Sequence, residues 1–322
     1  MAYTRSAIIT GGTFNLGYFA ALEIARQHPD WLVVVCSRSD RERAAETINK
    51  TLKQSNAVFM SLDLSDSKSV RNFAKDWSDR NYPSIQALCF NAALQFPGEI
   101  VYTPEGVEAT FAISHVGHSL LFHLLCSHLA PRARVVLTSS GTHDPAIKSG
   151  LPDAIYTTAE ELAHPPPAIA NGPGRRHYAN AKLANVMWTY ALHRRLNQKI
   201  PNRGIVVNAF DPGLMPGTGL ARESNTLGRY VWEKVLPKVT PVLKVILNTD
   251  NIRKPEESGA SLARLACSDE TAGISGKYFE GRKEIPSSKD SYDEKKIDDL
   301  WQWTVNYCAQ DEVEAARFEN FV

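Results

Sequence analysis

Seven short apolar runs mark the chain, at residues 7–10, 32–36, 58–62, 87–90, 134–138, 205–209 and 277–279. They carry little polar alternation, so both faces of each are covered, as in the strands of a parallel sheet. Between them lie stretches with apolar residues at helical spacing, over residues 16–27, 67–79, 111–129, 180–198 and 256–267. Strand and helix in alternation predict an α/β chain, one domain built on a doubly wound parallel seven-stranded sheet. No period of 20–50 residues recurs, which excludes solenoids and propellers.

Two segments break the rhythm. Residues 141–177 hold Pro165, Pro166, Pro167 and the Gly172-Pro173-Gly174 turn, and read as an inserted loop. Residues 214–251 mix Leu227, Tyr230, Val231, Trp232, Val235 and Leu236 with Pro237 and Pro241. Lys234, Lys238 and Lys244 exclude a buried membrane span there, and the apolar content predicts a substrate lid. Trp232 and Leu236, four apart, share a face if the lid is helical. Residues 280–322 form a C-terminal extension of the single domain.

Composition narrows the partners. With 322 residues and 43% apolar content the chain can bury a large core. A net charge of +1 gives no field to gather nucleic acid or anionic lipid, so a small-molecule substrate is expected, with no integral membrane span and room for a homodimer. Cys36, Cys89, Cys126, Cys267 and Cys308 are scattered and odd in number, which argues against disulfides and a metal site. The first residues enter an apolar strand with neither basic flank nor signal core, so a cytoplasmic protein is predicted.

The chemistry starts after the first strand, at Thr10-Gly11-Gly12-Thr13-Phe14-Asn15-Leu16-Gly17. A glycine-rich turn between strand and helix lets backbone N–H groups approach a pyrophosphate at a helix N-terminus. The second strand ends on Cys36-Ser37-Arg38, with Arg41 and Arg43 beyond, where an NAD-selective site would place an acid. Arg38 offers a fork for a 2′-phosphate, worth about 1.5–3 kcal/mol as a charge-assisted contact, and so points to NADPH. Further on, Tyr178-Ala179-Asn180-Ala181-Lys182 sets a phenol and an ammonium one helical turn apart. A cation at ~4 Å in a partly dry site stabilises a phenolate by roughly 4 kcal/mol, which brings tyrosine into working range. Ser139 and Ser140 end the strand at 134–138, where such sheets open onto their ligand crevice.

Other constellations are weaker. His143-Asp144 beside Ser140 suggests a hydrolase triad, but no G-x-S-x-G elbow surrounds either serine. His118, His123 and His128 fall at i, i+5 and i+10, not at ligand spacing, and with His115 are expected to be packing and surface histidines.

Together these residues resemble the short-chain dehydrogenase/reductase family over Thr4 to about Phe279. Gly11, Thr13, Asn15, Leu16 and Gly17 fall on its cofactor turn, Asp63-Leu64 on its adenine-contacting pair and Asn91-Ala92-Ala93 on its N-A-G segment. Ser140, Tyr178 and Lys182 fall on its catalytic set, and Asp211-Pro212-Gly213 on the turn flanking the nicotinamide, with Thr218 as a carboxamide contact. Gly106-Val107-Glu108-Ala109-Thr110-Phe111 and His115-Val116-Gly117-His118 look most like the branch of retinol dehydrogenases and light-dependent protochlorophyllide reductases.

The resemblance implies a Rossmann fold, an NADP cofactor and a bulky apolar or aromatic substrate, reduced at a carbonyl or conjugated double bond. Tyr178 would give the proton, Lys182 lower its pKa and hold the ribose, and Ser140 polarise the substrate. The chain departs from the family pattern at Asn15, which replaces the middle glycine, and at Ser114, which replaces an asparagine of a proton relay. A binding-only sensor or scaffold of the same fold is the alternative reading, and the intact Ser140, Tyr178 and Lys182 set argues against it.

Overall fold

The computed structural model describes residues 3–170, 172, 174–217, 230, 234–236, 244 and 249–322. Its centre is one eight-stranded sheet. The strands are β1 (Arg5–Thr10), β2 (Trp31–Ser37), β3 (Ala57–Ser61), β4 (Ile85–Phe90), β5 (Leu129–Thr138), β6 (Val206–Asp211), β7 (Lys277–Glu280) and β8 (Lys283–Ile285). They lie in the order β3-β2-β1-β4-β5-β6-β7-β8. The first seven are parallel, and order reverses between β1 and β4, where a doubly wound sheet opens its ligand crevice.

The seven apolar runs become β1 to β7. The eighth strand turns back on β7 through Gly281, whose φ of 58° suits the tight bend. Its sequence, Lys-Glu-Ile, lies in no apolar run, so no hydrophobic signal announced it. The fifth strand is also longer than its run. Pro131 and the exposed Arg132, at φ 60°, interrupt the apolar pattern, and the pairing with β4 shifts register beside them.

Two helical layers cover the sheet. One holds α1 (Asn15–Gln27), α2 (Ala44–Leu52) and α6 (Pro255–Cys267). There α1 meets α6 at Gly259, where a Cβ would stand 2.5 Å from that of Phe19, so only glycine allows the approach. The opposite layer holds α3 (Ser67–Asp79), α4 (Ala109–His128, with a π-helical turn at Ala112–Val116), α5 (Arg175–Lys199) and α7 (Glu294–Cys308). Trp77, Trp188 and Trp301 are buried in its core with Phe73, Phe90, Phe111 and Phe122. Each such side chain contributes about 1.5–3 kcal/mol by leaving water.

The C-terminal extension is part of that layer. A last helix, α8 (Glu312–Asn320), is clasped to α3 by Arg71, which donates to both carboxylate oxygens of Glu314 at 2.7 and 2.8 Å. Among the described residues α4 alone has the length and mean hydropathy of a membrane span, and 94% of that apolar window is buried inside the fold. The insertion at 141–177 is not a plain loop, since it forms short helical turns at Gly141–His143, Pro145–Ile147, Ala159–Ala163 and Pro167–Ala170.

Candidate active site

The end of β5 and the first turns of α5 meet at the sheet's C-terminal edge. The Ser139 amide donates to Phe210 O at 2.7 Å and its hydroxyl to Lys182 O at 2.8 Å, which locks strand to helix. Ser140 follows in extended conformation, its hydroxyl accepting the Thr142 amide at 3.3 Å and lying close enough to the Tyr178 phenol to act on it. Helix α5 starts at Arg175, five residues ahead of the apolar pattern, so Tyr178 and Lys182 do lie one turn apart on one rigid element. Lys182 Nζ stands 5.3 Å from the Tyr178 ring centre and donates to Thr138 O at 3.0 Å. Asn185 Nδ2 donates to the same carbonyl at 3.1 Å.

The electrostatics differ from the expectation that Lys182 pulls the phenol down. Burial pushes the Tyr178 pKa above the ordinary tyrosine range, the Asp211 carboxylate raises it further, and only the Ser140 hydroxyl opposes. Lys182 itself is lowered to about 8 by burial, with Asp211 working against that. The physical reason is that the ammonium, 1% exposed, is turned into the carbonyl of Thr138, while a carboxylate lies near both groups. The proton therefore rests on Tyr178.

The glycine turn packs closely between β1, β4 and α1. Gly11 has φ 64°, and Asn15, at the first position of α1, has φ 45°, an angle asparagine tolerates better than most residues. A Cβ on Gly17 would lie 2.3 Å from Gly11 O. Thr10 Oγ1 pins this turn to the end of β4 by accepting the amides of Asn91 at 2.9 Å and Ala92 at 3.1 Å, and it meets His118 Nε2 at 2.8 Å beneath. Thr13 donates to Ser37 Oγ at 3.0 Å, at the end of β2. Leu16 turns its side chain into the core, which leaves only its backbone facing the turn.

Arg38 is exposed beside that turn, and no side-chain partner of its guanidinium stands among the described residues. Arg43, by contrast, pairs with Glu46. Asp63 Oδ1 is held by the Ser65 amide and hydroxyl at 2.9 and 2.6 Å, and Leu64 O packs against Gly117 so closely that a Cβ there would come within 2.3 Å.

Beyond β6, Pro212 O accepts from Ser258, and the Gly213 amide donates to Asp211 at 2.8 Å. The two ends of the 214–251 segment meet here, with Leu214 N donating to Asn251 O at 2.8 Å and Arg253 N to Leu214 O at 3.0 Å. Thr218 and Trp232 lie outside the described residues.

Several sequence candidates are placed elsewhere. The two ring nitrogens of His143 are taken by Ser140 O at 2.7 Å and the Ser288 amide at 3.1 Å, while Asp144 caps the Pro145–Ile147 turn, so no hydrolase triad forms. His115, His118 and His123 are buried, and each is lowered to about 3 by burial. His128 meets Ser78 at the surface. Ser114 Oγ is buried in the π-helical turn without a hydrogen-bond partner, so its hydroxyl does not reach Lys182 directly. Asn185 and Asn251 were not singled out in the sequence. Asn185 lies three residues after Lys182 on a helix whose face was already assigned, whereas nothing local marks Asn251.

A parallel sheet with a glycine turn after β1 and a serine, tyrosine and lysine converging at the C-terminal ends of its strands defines a nicotinamide-dependent oxidoreductase. The short chain dehydrogenase family pattern matches residues 5–151, and an AcuH dehydrogenase domain pattern matches residues 221–316. The chain is similar to the short-chain dehydrogenase/reductase family, and within it to the branch of the retinol dehydrogenases. It is 28% identical to retinol dehydrogenase 13 of Homo sapiens, over 92% of this chain and 82% of that protein. It is 26% identical to short-chain dehydrogenase TIC 32 B, chloroplastic, of Brassica napus, over 93% of this chain and 87% of that protein. Among solved structures, an angucycline C-6 ketoreductase with bound NADP superposes with a TM-score of 0.61 at 18% identity, covering 87% of this chain and 96% of that one, which bears on the fold alone.

Proposed function

We propose that this protein is an NADPH-dependent reductase of a carbonyl, or of a conjugated double bond, in a bulky apolar or aromatic small molecule. The observation that carries the reading is the Lys182 ammonium 5.3 Å from the Tyr178 ring centre on one helix, with Ser140 facing the same phenol from the end of β5. The protein's own residues fit the cofactor. Gly11 and Gly17 let the strand end, the turn and the helix start close on one another where a Cβ would collide, which is the compact turn a pyrophosphate needs, and the Arg38 fork, with no side-chain partner among the described residues, suits a 2′-phosphate.

Bound NADPH supplies the hydride. Tyr178 gives its Oη proton to the substrate oxygen as that oxygen gains charge, which closes the balance from ketone to alcohol. Ser140 donates to the same oxygen, and Lys182 offsets the charge left on the phenolate. A phenol held in its protonated form by burial suits the donor role, since the proton is present across the neutral range. The inserted segment carries exposed Ile147 beside Gly141 and exposed Ile155, whose amide donates to Asn180 on α5, and these apolar side chains support an apolar substrate. The retinol and polyprenol in the names of two relatives are of that kind.

The test is loss of NADPH absorbance with a panel of aromatic ketones, enals and quinones, for the wild type and Tyr178→Phe. The variant should lose at least about a hundredfold in kcat while binding NADPH within a few-fold of the wild type. Retention of more than about a tenth of the activity would remove Tyr178 as the proton donor.

A further inference from the structure

The reading of Ser140, Tyr178 and Lys182 leaves one buried charge at the site without a task. Asp211 ends β6 and is 2% exposed. Its carboxylate accepts the Gly141 amide at 2.9 Å, directly after Ser140. It also accepts the Gly213 amide at 2.8 Å and Asn251 Nδ2 at 2.9 Å. These three donors come from separate segments: the turn after β5, the turn after β6 and the far end of the 214–251 segment. Asn251 is in turn gripped by Arg253. A carboxylate so deep in a fold is retained only when its lone pairs are filled and a positive charge lies near.

The charged and titratable groups around it are few. Lys182 and Tyr178 face it from α5, His143 from the turn after Ser140, and Tyr278 and Glu280 from β7, with Arg253 behind Asn251 and Glu280. Among these Lys182 is a fully buried cation with no carboxylate bonded to it, and Asp211 is the anion that acts on it.

We propose that Asp211 is a positioning residue: it frames Ser140 against the base of the 214–251 segment and stands as the counter-charge to the buried Lys182, whose ammonium is held by Thr138 O on the strand paired with Phe210, directly before Asp211. This rests on the reductase reading above. In consequence, whatever moves Asn251 or the Gly213 turn also moves the turn that carries Ser140, because all three hang on one carboxylate. Burial alone takes Lys182 down, and Asp211 opposes it, so loss of the charge moves the ammonium's titration to lower pH.

The experiment compares Asp211→Asn and Asn251→Ala in the full chain. Lys182 is followed by carbon NMR of labelled lysine, assigned with Lys182→Met, alongside the pH dependence of kcat/KM. Asp211→Asn should lower the Lys182 titration by about one pH unit or more and move the high-pH limb of kcat/KM with it, so that activity at pH 8 falls by about fivefold or more. Asn251→Ala should raise KM and leave the Lys182 titration in place, because it removes a donor but no charge. A Lys182 titration unmoved in Asp211→Asn overturns the proposal, and so does an equal shift in Asn251→Ala.

If Asp211→Asn does not fold, Asp211→Glu serves. It keeps the charge and displaces the turn, so kcat should fall while the high-pH limb stays, and a displaced limb overturns the proposal. Should the wild type reduce no substrate, the NMR titration still decides the role of Asp211, and the failure then belongs to the reductase reading.

Discussion

Gly17→Ala isolates the phosphate cradle, because two physical effects pull it in opposite directions. Alanine is the better helix former, by about 0.8–1.0 kcal/mol over glycine in a helix interior, and Gly17 lies in the first turn of α1. Against that, the added Cβ would meet Gly11 O at 2.3 Å, Gly11 C at 2.8 Å and Asn91 Nδ2 at 2.7 Å, whereas ordinary contact begins at 3.4 Å. Two of those atoms are backbone and the third is pinned, since Asn91 Nδ2 donates to Thr10 O at 2.9 Å. Relief requires the turn and the helix start to part by about 1 Å, and overpacking of this kind destabilises by about 1–3 kcal/mol. For large domains that is roughly 2–4 °C in Tm per kcal/mol.

The same displacement opens the turn in which a pyrophosphate would lie. NADPH affinity, measured by calorimetric titration, should therefore fall by about tenfold or more, about 1.4 kcal/mol. Gly98→Ala is the control, because a Cβ there meets nothing within 4 Å, and it should leave both Tm and affinity unchanged. If Gly17→Ala binds NADPH within about threefold of the wild type, the close approach at Gly17 is packing and no part of a phosphate cradle.

Two further outcomes follow. Arg38→Asp should turn the preference from NADPH toward NADH, since it exchanges a cation for an anion beside a 2′-phosphate; equal use of both cofactors by the unmodified protein would count against the assignment. His123 is buried between Phe318 and Trp301 with neither ring nitrogen hydrogen-bonded, and its pKa is lowered to about 3 from an ordinary value of 6.5. A histidine held neutral in the fold contributes stability that is present above about pH 6.5 and is lost as pH falls toward 3, by up to about 1.4 kcal/mol per unit. His123→Leu should flatten the acid limb of a urea-denaturation stability profile by that slope, and an unchanged limb would show that His123 titrates normally.

The sequence by itself determined the parts that rest on local order. Seven uninterrupted apolar runs require strands covered on both faces, and the helices between them follow from 3.6-residue spacing. Gly11, Asn15 and Gly17 fall within seven residues where strand passes into helix, and Tyr178 and Lys182 share one helix face by spacing alone, so both motifs were legible before any tertiary contact formed. Helix α2 and strand β8 were not, because each buries too little apolar surface to leave a pattern: α2 hides only Ala44, Ala45 and Ile48.

What only the tertiary structure decided is how distant segments share a charge or a hydrogen bond. Asp211 reads in sequence as the first residue of a turn, and it acquires significance only when Gly141 and Asn251 reach it from 70 positions before and 40 after. The Tyr178 pKa likewise could not be read from its lysine four residues on. The near neighbour turns its charge into the Thr138 carbonyl, while burial and a carboxylate from another strand push the phenol up. Electrostatics in a dry interior depends on distance and burial, and neither is a property of position along the chain.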